Sequence, residues 1–179
     1  MFKALKFGSA ALAVAGLSFG MAAPAMASGG VSCANLPAAI AAAAPGSSIN
    51  VSGTCTGNFT INQNLTLNGA ATLNGTLTVN YPASVALNSI TVTGTTTVSG
   101  TLKSNRSTLN GVSNTGTVLF NSSTVTGGIV SSGTGSGIPI QGCGCIMDDA
   151  VTIAKSTVSG GITLTNGSTL KVDKNSTIS

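Results

Sequence analysis

Apolar and hydroxyl residues alternate along most of this chain. From Ile49 onward a Val, Ile, Leu or Thr recurs every second or third position, as in Ile49-Asn-Val51, Phe59-Thr-Ile61, Leu65-Thr-Leu67, Leu77-Thr-Val79 and Val85-Ala-Leu87. Gly, Asn or Ser bounds these runs, so the pattern predicts short strands joined by tight turns. In the second half the alternation settles into a repeat. Its units are Asn88-Ser-Ile-Thr-Val-Thr-Gly94, Asn105-Arg-Ser-Thr-Leu-Asn-Gly111, Asn121-Ser-Ser-Thr-Val-Thr-Gly127, Ala154-Lys-Ser-Thr-Val-Ser-Gly160 and Lys174-Asn-Ser-Thr-Ile-Ser179. The starts lie 17, 16, 33 and 20 residues apart. A coil of about 17 residues holds two or three strands, as a parallel β-helix requires. The interval of 33 reads as two such coils, one of them degenerate and carrying an insertion over residues 142–149.

Strand alternation assigns the faces of the unit. Ile90, Val92, Leu109, Val125, Val158 and Ile178 point inward, with Ser107, Ser123, Ser156 and Ser176 at the other inward site. Coils stack at about 4.8 Å, so like residues form ladders along the axis. The outward positions then form a column of Thr91, Thr108, Thr124, Thr157 and Thr177, beside a second column of Thr93, Asn110, Thr126, Ser159 and Ser179. Thr91, Thr93, Thr108, Thr124, Thr126, Thr157 and Thr177 are the candidate surface-binding residues. They make a flat hydroxyl array, of the kind that lies against ice or a crystalline polysaccharide. The competing reading is that Thr is simply the β-branched residue that tolerates water.

Ahead of the strands, Leu36, Ala39, Ile40 and Ala43 share one face of a helix predicted over residues 34–44 and ended by Pro45-Gly46. An open solenoid end exposes core residues and unpaired strand edges, so a helix across it is the expected cap. No comparable segment follows the last repeat. Leu170, Val172 and Ile178 are therefore expected in an uncovered coil open to self-association or to a partner.

The stretch Cys33-Ala-Asn-Leu-Pro-Ala-Ala-Ile-Ala, followed by Pro45-Gly-Ser-Ser-Ile-Asn-Val-Ser-Gly-Thr-Cys55-Thr-Gly-Asn-Phe-Thr-Ile61 and Asn64-Leu-Thr-Leu-Asn-Gly69, resembles the opening of secreted right-handed parallel β-helix proteins of the pectin-lyase-like group. The likeness covers residues 33–94 in pattern. It implies right-handed coiling and leaves function open, because that group holds lyases and adhesins alike. The fold class expected is all-β: a right-handed parallel β-helix, or β-solenoid, with a short N-terminal capping helix.

The N-terminus adds the compartment. Lys3 and Lys6 precede an apolar run from Ala10 to Met21, and Pro24-Ala-Met-Ala27 supplies a small-x-small cleavage site. This is the layout of a secretory signal, and the run is too short for a membrane span. The expected organisation is a signal peptide over residues 1–27, a capping segment over 28–48 and a β-helix over 49–179. The location would be bacterial and outside the inner membrane: secreted, periplasmic or at the cell surface.

Removing the two signal lysines from 7 Lys+Arg leaves 5 against 3 acidic residues, a net charge of +2. The cations Lys103, Arg106, Lys155, Lys171 and Lys174 are scattered singly along the sequence, with no Trp and 1 Tyr. Nucleic-acid binding is excluded on those grounds.

Chemistry is sparse. The chain has no His and no Glu; its acids are Asp148, Asp149 and Asp173. No triad or His metal site can be built, and the only candidate carboxylate pair, Asp148-Asp149, reads as a solvated loop. No cofactor, metal or catalytic residue is expected, and the chain is read as not an enzyme. Four cysteines suit an oxidising compartment. Cys33 and Cys55 are expected to bridge cap to first coil. Cys143 and Cys145 are best read as a local disulfide, against a thiol pair for metal or an intermolecular bridge. The function expected is a structural or adhesive solenoid acting through its surface or open end, with a glycan or cell-surface component as partner. Ordered-surface binding through the threonine face comes second, and a polysaccharide lyase-like enzyme third.

Overall fold

A computed structural model describes residues 30–133 and 149–179. The described residues wind as a parallel β-solenoid of about 6 turns, preceded by a short helix. Each coil but the last has three legs; the last has the first two, Thr169–Val172 and Thr177–Ile178. The first and second legs share a 12-stranded sheet and the third leg forms a 6-stranded sheet. One full coil shows the plan: Thr101–Asn105 is the first leg, Thr108–Leu109 the second and Val112–Asn114 the third. All inter-coil pairings among these strands are parallel.

Inward positions repeat from coil to coil, so the core is a set of axial stacks. In the first leg Leu65, Val85, Leu102, Val118 and Val151 follow one another in register, all buried. Phe59 and Leu77 begin the corresponding stack of the third leg. Both faces of a coil are covered by its neighbours, which is how so thin a core stays dry.

The corner between first and second legs has its own ladder. Asn50, Asn68, Asn88, Asn105 and Asn121 stack in register. The Asn88 amide donates to Asn68 Oδ1 at 2.7 Å, and the Asn105 amide donates to Asn88 Oδ1 at 2.9 Å. The next residue turns the corner in the left-handed region: Ser89, Arg106, Ser122 and Lys155 have φ of 61°, 49°, 52° and 49°. Non-glycine residues sit there at a cost of about 1–2 kcal/mol, and the hydrogen bonds from Arg106 N–H to the Asn121 carbonyl and from Ser122 N–H to the Ala154 carbonyl, each 3.0 Å, offset it. At another turn the chain uses glycine because nothing else fits. A Cβ on Gly75 would collide with the carbonyl of Gly57 in the coil below.

The cap differs slightly from the sequence expectation. The helix spans Leu36–Ala42, after a tight 3₁₀ turn over Cys33–Asn35. Pro37 fits the first helical turn, where its missing N–H has no intrahelical role. Leu36 and Ile40 are buried against the first coil, and the Gln63 side chain donates to the Ile40 and Ala43 carbonyls that end the helix. The disulfide Cys33–Cys55, with Cα atoms 4.5 Å apart, ties this segment to the second leg as expected.

One expectation fails. The interval of 33 residues is one coil, not two: Thr117 pairs directly with Ala150, and Thr124 with Thr157. The extra length is an insertion between third and first legs, so no rung is missing from the stack. At the far end Leu170, Val172 and Ile178 are 39%, 40% and 41% exposed, whereas their counterparts Val151, Ile153 and Val158 are buried.

Candidate functional site

The second leg carries an unbroken threonine column. Register places Thr54, Thr72, Thr91, Thr108, Thr124, Thr157 and Thr177 on successive rungs, all solvent-accessible on the outer face. Five of these were anticipated from the repeat. Thr54 and Thr72 were not, because their coils read Gly53-Thr-Cys-Thr56 and Ala71-Thr-Leu-Asn74, without the Ser-Thr core of the later units. The readable signal was a Thr followed two residues later by Thr or Asn.

Two residues further on runs the second column: Thr56, Asn74, Thr93, Asn110, Thr126, Ser159 and Ser179. Its side chains brace one another. Thr93 Oγ1 donates to Asn74 Oδ1 at 3.0 Å, the Asn110 amide donates to the Thr93 carbonyl at 2.8 Å, and Thr126 Oγ1 lies 3.4 Å from Asn110 Oδ1. In the first column, by contrast, no hydroxyl is engaged by another group among the described residues. The second column is braced by its own ladder from Asn74 to Thr126, and the first presents free hydroxyls and methyls at a repeat of about 4.8 Å.

The two acids among the described residues, Asp149 and Asp173, do not converge. Asp173 closes the corner ladder: its carboxylate accepts the Ser176 hydroxyl at 2.6 Å and the Lys155 N–H at 3.1 Å. Those bonds, the Ser176 hydroxyl first, hold it below the usual carboxylate range. Asp149 corrects the solvated-loop reading. It is only 4% exposed, Oδ2 has no hydrogen-bond partner among the described residues, and burial pushes its carboxyl up. The two acids flank the first leg at opposite ends, about 16 Å of strand apart. A glycosidase pair needs about 5–9.5 Å. Among the described residues no three His, Cys, Asp or Glu side chains group as a metal site. Cys143, Cys145, Asp148 and the signal segment lie outside the described residues.

The cations, scattered in sequence, are gathered by the fold. Lys103 and Lys171 point outward from the first leg, and Arg106, Lys155 and Lys174 occupy its corner with the second leg. The threonine column carries no charge.

No protein-family model, curated protein or solved structure matches the chain. The likeness to pectin-lyase-like proteins therefore stands on the quoted residues and on the solenoid. No helix among the described residues is long and apolar enough to cross a membrane.

Proposed function

We propose that this chain is an exported, non-enzymatic adhesive solenoid whose working surface is the second-leg face. The seven-rung threonine column carries the reading. A rigid array of free hydroxyls and methyls at one fixed repeat complements a ligand that is itself periodic and uncharged, such as ice or the face of a crystalline polysaccharide. The braced Asn/Thr column beside it lowers the entropy lost on contact.

Export is supported by the signal-like N-terminus and the Cys33–Cys55 disulfide. The non-enzymatic reading is supported by the lack of His and Glu in the sequence. Two assays test the proposal. Partitioning onto polycrystalline ice, cellulose and chitin should detect the contact surface. Reducing-end release from pectin, alginate and glucans should detect no turnover; turnover that disappears in Asp148→Asn would replace the adhesive reading with a lyase-like one.

A further inference from the structure

Asn-Gly occurs at Asn68, Asn74, Asn110 and Asn166. In such a pair no side chain shields the glycine nitrogen, which can attack the Asn Cγ and close a succinimide ring. Closure requires rotation of the Asn backbone, so the local structure must open first. The fold treats the four pairs differently. Asn68 Oδ1 accepts the Asn88 amide at 2.7 Å, Asn74 Oδ1 accepts the Thr93 hydroxyl at 3.0 Å, and the Asn110 amide donates to the Thr93 carbonyl at 2.8 Å. Each of these three is stacked between the coil before and the coil after. Asn166 is exposed, and its side chain makes no hydrogen bond among the described residues. With Gly167 it forms the turn from the third-leg strand Ile162–Thr165 to the first-leg strand Thr169–Val172 of the last coil. Both residues have positive φ, 53° and 81°, and a Cβ on Gly167 would meet nothing within 4 Å. The Ser168 N–H closes the turn on the Thr165 carbonyl at 3.3 Å. One contact holds it to the preceding coil: the Gly133 N–H donates to Ser168 Oγ at 2.8 Å and to the Thr165 carbonyl at 3.1 Å.

We propose that Asn166 is a site of spontaneous self-modification, and that its conversion to isoaspartate loosens the last coil. The Gly167 nitrogen gives up its proton and bonds to Asn166 Cγ; the Cγ–Nδ2 bond breaks and ammonia leaves. Water then opens the ring at either carbonyl, giving aspartate or isoaspartate, with no change of oxidation state. Selectivity comes from the cost of opening. At Asn166 a single turn parts from a single neighbour, beside strands whose Leu170 and Val172 are 39% and 40% exposed. At Asn68, Asn74 and Asn110 two coils must part from the one between them, an opening that comes closer to global unfolding. Isoaspartate carries the main chain through its side-chain methylene and so lengthens the turn. Ser168 N–H then no longer meets the Thr165 carbonyl, and the pairing of Thr169–Val172 with Ala150–Ile153 loses its anchor.

The test is ageing of the purified full chain in warm, mildly alkaline buffer, with and without urea, followed by peptide mapping. Fragmentation that separates aspartate from isoaspartate reads each Asn-Gly pair within one molecule, so this comparison needs no variant. In the folded chain Asn166 should convert roughly tenfold or more faster than Asn68, Asn74 or Asn110, and in urea the four rates should draw together. Hydrogen exchange of residues 169–172 should quicken in the aged chain and stay unchanged in an Asn166→Gln variant aged alongside it. The proposal is overturned if Asn166 converts no faster than the other three in the folded chain. It is equally overturned if residues 169–172 lose protection to the same extent in aged Asn166→Gln, or keep it in the converted chain.

Discussion

The hydroxyl of Ser123 accepts the backbone N–H of Ser107 from the preceding coil, 3.2 Å away. The same hydroxyl lies 2.9 Å from the Ser104 carbonyl, and one coil on the Ser123 N–H is accepted by Ser156 at 3.0 Å. Second-leg strands are only two residues long here, so backbone pairing alone leaves the corner amides unsatisfied. The buried serine ladder takes them up. Ser123→Ala strands the Ser107 N–H inside the core, and the expected loss is about 1–3 kcal/mol by urea unfolding. A loss below a few tenths would mean that the ladder is incidental.

Thr96 should behave in the opposite way. It occupies an inward position between Leu77 and Val112, and its buried hydroxyl has no partner. Thr96→Val keeps the shape and removes the unpaired group, so stability should rise by about 1 kcal/mol. Chemical denaturation of the two proteins side by side checks the sign.

Asp149 makes stability depend on pH. Its folded pKa is raised above the ordinary value of 3.8 by burial, so the folded chain holds the proton more tightly than the unfolded one. That contribution is fully present below 3.8 and is lost as pH rises through the folded value. Asp173 opposes it: its folded pKa is lowered, so its contribution is present above 3.8 and is lost as pH falls through the folded value. Asp149→Asn should therefore raise stability at neutral pH and leave the acid limb in place. Asp173→Asn should flatten that acid limb. Thermal midpoints across pH 2 to about 8 measure both.

Much of this architecture was legible because the second-half units repeat position by position; Thr108 and Thr124 announce their pairing in the sequence itself. What escaped was information held only by stacking. Interval length cannot distinguish a degenerate coil from an insertion; strand pairing, Thr117 with Ala150 and Thr124 with Thr157, decides it. Arg106 and Lys155 stand far apart in sequence, yet Ser122 alone separates them in the corner column. Asp149 follows a polar neighbour, Asp148, and nothing in that local sequence announces a side chain only 4% exposed.

The Cys33–Cys55 bridge should matter locally. Closing a loop of this separation, 22 residues, is worth about 3 kcal/mol in the chain-entropy model. Cys55→Ser should cost about 2–4 kcal/mol, with hydrogen-exchange protection lost in the helix and first coil and kept from Thr101 onward. Uniform loss along the solenoid would show that the cap nucleates the whole stack.

The central claim is that the threonine column makes the contact, and partitioning onto ordered solids measures that directly. The chain, a Thr124→Lys variant and a Thr97→Lys variant on the third leg are equilibrated with polycrystalline ice, microcrystalline cellulose and chitin. The account predicts that the chain and Thr97→Lys partition alike onto at least one solid, while Thr124→Lys falls at least tenfold on that solid with its unfolding midpoint unchanged. Binding to none of the solids, or a Thr124→Lys isotherm that overlays that of the unmodified chain, would contradict it.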